Sequence, residues 1–563
     1  MPSFSTKWIT AHARRGTMIG TIALFLLAAL PYWLIAAEAP HEMVVAESEP
    51  AARAGLEILQ HGGNAIDAAV ATSLALGVTN AASCGIGGGG FMLIYLAKTG
   101  KLYALDYREV APKAATANMY LRDGKPNEDL ARTGALAIAV PGEIAGLDAA
   151  VKRFGTKKFP EDAAPAIKLA RDGFPLSPHL AKEVAMAAPL LDTDPAFRTV
   201  YFTTDGKPES AGATIYNRNL AALIERLGDD PAANFYRGPV ADTIAAYIKE
   251  RGGIVTAADL ASYQPVWRDP IHLAYRDYDV YTMPPPSSGG VVLEILGMLS
   301  SGRVAGLGVD SPPYLARLIE VMRQGFIDRA QYADPAFVNV PIMELLSAKH
   351  IAEARDRAFH RSSLPPMTTA AHDHGTSNFA VVDKAGNVVD VTTTVNTVFG
   401  AKLMVPSLGL ILNDEMDDFA VAPGVPNAFK IVGEKNNEVA PGKRPLSSMS
   451  PIIALENGRP ALVAGGSGGP TIISGVTQVT LNLLDFRLQP GAAIAEPRIH
   501  EQAQPDLVLV EESVPVKTKG QMTAMGYRLK VVPELGAVSA IRIKPGALRG
   551  AFDQRKGGGA VGD

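Results

Sequence analysis

Cysteine is nearly absent from this 563-residue chain, which carries one, Cys84. A single thiol excludes an internal disulfide framework and every paired-cysteine metal site. Its neighbours in AASCGIG are small, which predicts a buried structural thiol. Net charge is also scarce: 53 Lys and Arg against 57 Asp and Glu leave −4. With no basic run beyond the N-terminus, that balance excludes the electrostatic footprint of a nucleic-acid partner. No 20–50-residue repeat and no long low-complexity segment is present, so solenoid and propeller architectures are excluded. What remains is 47% hydrophobic and 20% charged, the composition of a globular protein with a sizeable core. The length fits one large or two ordinary domains.

There is one long apolar run. Residues 17–37, TMIGTIALFLLAALPYWLIAA, are uncharged and follow an acid-free lead carrying Lys7, Arg14 and Arg15. A basic n-region followed by an apolar h-region reads as a secretory signal, and the run approaches the roughly 20 residues that span a bilayer. Residues 1–39 are therefore expected to be a signal peptide or a membrane anchor. Cleavage would follow Ala36 or Ala39, the latter weakened by Pro40. Arg14-Arg15 hints at a twin-arginine signal, although the positions after it fit poorly. The positive-inside rule places the rest outside the cytoplasm, periplasmic or secreted.

Helical patterns dominate up to about residue 360. Ser48-Glu49-Pro50 reads as a helix start and Gly62-Gly63 as its end. NAIDAAVATSLALGV is apolar all round and predicts a buried helix in which Asp67 is paired. PGEIAGLDAAVKRFG, EDAAPAIKLARDG, VADTIAAYIKERGG and PPYLARLIEVMRQGFIDRAQ continue the helical series, interrupted by the strand candidates FMLIYLA and LYALDYREV. MPPPSSGG predicts a rigid turn-rich loop. Residues 361–375 have no period and many loop formers. Beyond them, SNFAVVD and VVDVTTTVN flank a KAGN turn as one hairpin, and SPIIAL and PALVAGG flank Asn457-Gly458 as another. A helix, PTIISGVTQVTLNLLDF, and strands in DLVLVEE and VSAIRI follow. Helices packed on antiparallel sheets make one interleaved α+β body, from which 361–375 is a surface excursion.

Three clusters invite a chemical reading. In CGIGGGGF, Gly85, Gly87 and Gly90 match GxGxxG, but a strand follows where a dinucleotide site needs a helix; close backbone packing is the expectation. AGGSGGPTII lies between a strand and a helix and fits GxSxG, with Ser467 as the elbow serine. Only His500 lies downstream, and Asp485 and Glu496 are poor third members. The same glycines can instead form an anion nest fit for an oxyanion hole, or a plain turn. LNDEMDDF supplies Asp414, Glu415, Asp417 and Asp418: a solvated turn, a calcium loop without the EF-hand spacing, or a carboxylate pocket for an ammonium group. Ser447 and Ser448 in GKRPLSSMSP, and Arg108 in LDYREVAP, can hold a carboxylate. Together these describe a site for an α-amino acid that lacks a nucleophile and a base.

HDHGTSNFAVVD can supply both. Gly375-Thr376 joins the loop to a strand. If the chain breaks there, Thr376 offers a hydroxyl nucleophile and its own α-amine as base. Such an amine titrates near 7.7–8.0, close to the ideal for general-base work. Taken in order, GGNAIDAAVA, GIGGGGFM, DYREVAP, PGEIAGL, MPPPSSGG, DRAQYADP, GTSNFAVVD, NDEMDDF, KRPLSSMSP and the terminal GGGAVGD resemble the γ-glutamyltransferases (γ-glutamyltranspeptidase, glutathione hydrolase) of the N-terminal-nucleophile hydrolase superfamily.

The resemblance implies a four-layer αββα core and a proenzyme that cuts itself into a large fragment, 40–375, and a small one, 376–563, which stay together as a heterodimer. It implies Thr376 as nucleophile, Thr394 as its support, and Gly468 and Gly469 as the oxyanion hole. Asn396, Glu415 and Asp418 would hold the γ-glutamyl α-amine, and Arg108, Ser447 and Ser448 its α-carboxylate. Donors would be glutathione or related γ-glutamyl amides, and acceptors water, amino acids or dipeptides. No cofactor or metal enters the expectation. The chain departs from the family pattern at Asn378 (often His), Phe429 (often a Tyr that gates the pocket in bacterial members) and Gln554 (commonly Pro). Three alternatives stand beside this: a related acylase, an uncut binding relative, and a serine hydrolase centred on Ser467.

Overall fold

Every residue of the strand Thr376–Val382 is buried, and so is every residue of its partner Val388–Thr394. Antiparallel strands hidden on both faces must lie between two covering layers. The computed structural model, which describes residues 36–302, 304–360, 375–422, 424–432 and 434–563, supplies those layers. The segment 1–35 and residues 361–374 of the expected processing loop lie outside the described residues.

Two seven-stranded antiparallel sheets form the centre. The first runs Gly559–Gly562, Met43–Ala46, Thr376–Val382, Val388–Thr394, Gly89–Leu96, Lys101–Tyr107, Val266–Arg268. The second runs Ala36–Ala39, Ala547–Ala551, Ala537–Lys544, Arg459–Ser467, Ile452–Glu456, Tyr278–Thr282, Ile271–Tyr275. The two-residue period of a strand divides their side chains. Ala380, Val382, Phe91 and Leu93 share a core with Ile453, Val463 and Ala540 of the other sheet. Phe379, Val381, Met92 and Ile94 turn the other way, toward Ala51, Ile58, Leu74 and Ile144. Those last residues belong to the outer helices Glu49–Gln60, Ala65–Thr79 and Glu143–Phe154. Gly289–Leu299 and Thr471–Leu484 cover the second sheet. The result is the expected α+β sandwich, layered αββα.

Local expectations hold where the physics is local. Ala65–Thr79 is buried at all positions. Its Asp67 accepts from Asn64 N at 2.8 Å and from the Thr156 hydroxyl at 2.5 Å. Asn457 and Gly458 have φ of 51° and 75°, the backbone that an Asn-Gly hairpin turn requires. Cys84 is buried, and burial pushes its thiol up to about 12. The glycines after it are packed tightly: a Cβ on Gly87 would lie 2.0 Å from Ile411 O, and one on Gly88 1.9 Å from Thr394 O. This is the close packing expected of that run, and a strand follows it.

Each sheet contains strands from both sides of residue 375. Thr376–Val382 pairs with Met43–Ala46 on one edge, and Val388–Thr394 pairs with Gly89–Leu96. A break between Gly375 and Thr376 would therefore leave both fragments locked in one core. Ala36–Ala39, at the end of the N-terminal segment, pairs with Ala551–Leu548 as an edge strand.

Candidate active site

Thr376 opens its strand directly opposite Thr394. Their hydroxyl oxygens are 3.1 Å apart. Thr394 donates to the Gly375 carbonyl oxygen at 2.8 Å and accepts from Asn396 N at 2.8 Å. A threonine hydroxyl has one proton to give. With that proton on Gly375 O, the Thr376 hydroxyl is the donor between the two threonines. Gly375 has no room for a side chain, since a Cβ would lie 2.2 Å from Asn396 O. Asn396 itself sits at φ 78° and donates through Nδ2 to Asp414 O at 3.0 Å.

Arg108 follows the strand Lys101–Tyr107 and is buried. The short helical turn Glu415–Asp418 faces it. The guanidinium donates to Glu415 through Nη1, to Asp418 through Nη2, and to Pro445 O through Nε at 3.3 Å. Burial disfavours the Arg108 charge, but Glu415, Asp418 and Glu109 more than offset this and hold its pKa above the ordinary value. Burial raises Glu415 and Asp418 above the usual carboxylate range, with Arg108 opposing. Glu109, whose carboxylate lies 3.7 Å from Arg108, is pushed up to about 8 by burial against the same opposition. The sequence expectation set Arg108 and the acids at opposite poles; the structure joins them in one network. Asp417 turns away, to Arg132 at 3.2 Å and Ala428 N at 3.1 Å.

Gly468 and Gly469 end the strand Arg459–Ser467 with φ of 121° and 58°. These left-handed values favour glycine, and a Cβ on Gly469 would also meet the Phe429 ring at 2.7 Å. Ser467 is buried and donates to Glu47 Oε1 at 2.5 Å. His500, the only downstream histidine, is instead bonded to Ser474 at 2.9 Å and Gln502 at 2.8 Å. The elbow-serine alternative fails here, because among the described residues no histidine is bonded to Ser467 and its proton is committed to Glu47. Ser467→Ala is accordingly expected to keep self-cleavage and turnover, measured on the purified variant.

One cavity is lined by Arg108, Thr376, Thr394, Asn396, Glu415, Asp418, Ser447, Ser448 and Gly469, with Phe429, Met449 and Ile472. Of the residues expected at the site, Gly375 and Gly468 adjoin it in sequence without lining it. Sequence reasoning missed Arg329. This buried residue donates to Ser448 Oγ at 3.2 Å and to Ser288 Oγ at 2.8 Å, and Ser288 in turn donates to Ser447 O at 2.5 Å. Burial holds its pKa down to about 10. Its only signal was membership of DRAQYADP, at the end of a helix more than a hundred residues from the serines it orients.

A sequence profile described as gamma-glutamyltranspeptidase matches residues 51–563. The chain belongs to the gamma-glutamyltranspeptidase family. It is 39% identical over 523 residues to the glutathione hydrolase proenzyme of Escherichia coli (strain K12), covering 91% of this chain and 90% of that one. It is 35% identical over 548 residues to the glutathione hydrolase proenzyme of Bacillus subtilis (strain 168), covering 92% and 91%. Among solved structures it resembles cephalosporin acylase from Bacillus halodurans, with a TM-score of 0.83, 29% identity, and coverage of 94% of this chain and 97% of that one. Helicobacter pylori gamma-glutamyltranspeptidase gives a TM-score of 0.53 at 36% identity, covering 57% of this chain and 91% of that chain. The family and the fold expected from the ordered motifs are thus both present.

Proposed function

We propose that this family member is a self-cleaving γ-glutamyltransferase and glutathione hydrolase that works through a γ-glutamyl ester on Thr376. The observation that carries the proposal is the Gly375–Thr376–Thr394 hydrogen-bond arrangement at the start of a buried strand. In the uncut chain the Thr376 hydroxyl oxygen attacks the Gly375 carbonyl carbon. Charge then develops on the Gly375 oxygen, where the Thr394 hydroxyl already donates. Breaking the C–N bond, as the hydroxyl proton passes to the departing Thr376 nitrogen, leaves an ester, and water then hydrolyses it to release residue 375 as a carboxylate and Thr376 with a free hydroxyl and α-amine.

Turnover repeats the attack on a substrate. The α-amine takes the Thr376 hydroxyl proton as the oxygen adds to the γ-amide carbonyl. The backbone N–H groups at Gly468 and Gly469 receive the oxyanion. The departing amine takes a proton, and water or an amino-acid acceptor then resolves the ester. The substrate's ammonium group would sit between Glu415, Asp418 and Asn396, and its carboxylate on Arg108, Ser447 and Ser448. A zwitterion suits this network, because it brings both charges needed to open the Arg108–carboxylate pairs without leaving any of them unmatched.

Similarity to a cephalosporin acylase structure supports a second donor class, amides whose acyl group lacks the α-ammonium, for which glutaryl amides are the simplest probe. The two classes differ only in the α-ammonium group, so comparing γ-glutamyl and glutaryl anilides separates them. The acid cluster favours the first by about 1–3 kcal/mol, roughly 5–150-fold in kcat/KM. The N-terminal segment supports an extracytoplasmic, periplasmic or secreted enzyme, anchored if the segment is retained.

Intact mass and N-terminal sequencing test the proposal directly. Two fragments, the smaller running from Thr376 to Asp563, are the expected outcome; a single uncut chain would instead point to a binding protein. Thr394→Val is expected to slow cleavage about 10²–10³-fold, the usual effect of losing one donor to a developing oxyanion, as followed by gel over time. Unchanged cleavage in that variant would remove Thr394 from the mechanism.

A further inference from the structure

The strand Met43–Ala46 pairs with Phe379–Val382 and stops there, at Ala46 opposite Phe379. Residues 376–378 therefore project beyond their neighbour on that edge. In an extended strand the backbone groups of residues two apart face the same edge. The Thr376 carbonyl and the Asn378 N–H thus both lack a strand to bond. Two side chains take its place: Lys556 Nζ donates to Thr376 O at 2.5 Å, and Glu47 Oε1 accepts from Asn378 N at 3.3 Å. The two are themselves paired, Nζ to Oε2 at 3.6 Å, and both are buried. Glu47 Oε1 also accepts from Ser467, the residue before Gly468-Gly469. A buried Lys–Glu pair is poor value as a source of stability, because desolvation cancels most of its attraction. Its position says more: it joins the nucleophile strand to the oxyanion loop and puts an ammonium group on the carbonyl of the residue that becomes the new N-terminus.

We infer that Lys556, oriented by Glu47, is a positioning residue for the nucleophile: it fixes Thr376 at the open end of its strand and, after cleavage, favours the neutral form of the Thr376 α-amine. The inference rests on the N-terminal-threonine reading above. A nearby positive charge disfavours protonation of an amine, and a neutral amine is the form that accepts the hydroxyl proton. Among the described residues, the other charged groups around Thr376 are largely matched by partners of their own. Across the cavity Arg108 is matched by Glu415 and Asp418. Behind Glu47, Asp553 is held by Arg498 at 2.7 Å, and the Cys84 thiol stays protonated. Among the described residues, Glu47 is the counter-charge that offsets part of the Lys556 effect; burial raises its pKa, with Lys556 opposing.

The test compares wild type, Lys556→Met, Lys556→Arg and Glu47→Gln as full chains, first by N-terminal sequencing and then by the pH dependence of kcat/KM on a γ-glutamyl anilide. In Lys556→Met the acid limb is expected to move up by about half to one pH unit, given ordinary charge–charge shifts, while Lys556→Arg stays near wild type. Glu47→Gln keeps an acceptor for Ser467 and Asn378 but removes the counter-charge, so its limb moves down. A Lys556→Met profile that superimposes on wild type overturns the inference. Where Lys556→Met stays uncut, an unmoved Glu47→Gln limb overturns it. So does loss of cleavage in Lys556→Arg, which retains both donor and charge. A wild-type chain that is not cut at Thr376 is a different failure, that of the N-terminal-threonine reading itself.

Discussion

Thr376→Ala is expected to leave one uncut chain of full length with γ-glutamyl amide turnover at background. Both losses have one cause. On the proposed mechanism the hydroxyl oxygen that attacks Gly375 is the one that attacks substrate, and without cleavage the α-amine never becomes a base. Thr376→Ser separates the roles: it keeps the oxygen, so cleavage proceeds, although the strand start loses a methyl group packed in a buried position. Intact mass reads the first effect and an anilide assay the second. The fold should survive in the alanine variant, since both fragments share two sheets whether or not they are joined. Its melting midpoint should therefore stay within a few degrees of wild type. An alanine variant that is still cut at residue 376 would move the nucleophile elsewhere.

Arg108→Ala is expected to have the largest effect among the binding residues. Removing the guanidinium leaves Glu415 and Asp418 facing each other without their cation in a buried cluster. Breaking one side of such a pair costs about 3–5 kcal/mol. The acids can respond only by taking up protons, because Arg108 opposes the upward push of burial on both. A neutral acid no longer holds an ammonium group. Substrate thus loses the partner of its carboxylate and of its amine together, and KM is expected to rise about 30-fold or more, roughly 2 kcal/mol. Self-cleavage should persist below the lowered melting point, since the Thr394 hydroxyl, Gly375 carbonyl and Asn396 N–H that hold the scissile bond are bonded to one another. Lys is a poor replacement, because a point charge cannot bridge two carboxylates as a planar fork does. Thermal melting, fragment analysis and KM measured together check the prediction. A folded Arg108→Ala chain that stays uncut would place Arg108 in processing.

Much of this was legible in the residue order. The buried helix Ala65–Thr79, the hairpin turned by Asn457-Gly458 and the strand opening at Thr376 follow from side-chain period, turn chemistry and apolar runs. These depend on neighbours a few residues apart. The motif series named the family and with it a set of site residues, most of which line one cavity. Other features were not legible because they depend on distances across the fold. Sequence sets Arg108 and the acids at opposite poles; the turn at Glu415–Asp418 closes on the end of a strand three hundred residues earlier and joins them. Ser467 fits an elbow serine by sequence, but its hydroxyl donates to Glu47 across the fold. Lys556 and Glu47 carried no signal at all: each is a charged residue beside a short strand, usually a solvated place. Only the early end of Met43–Ala46, which exposes the Thr376 carbonyl on a buried sheet edge, brings them together. Sequence by itself marked the hairpin strands around Thr376 and Asn457-Gly458 and pointed to the family, but not edge strands such as Met43–Ala46, Ile271–Tyr275 and Ala547–Ala551, which only their neighbours in the sheets define. The tertiary structure decided which charges neutralise one another, because burial makes an ion's nearest partner, rather than its place in the chain, govern its state.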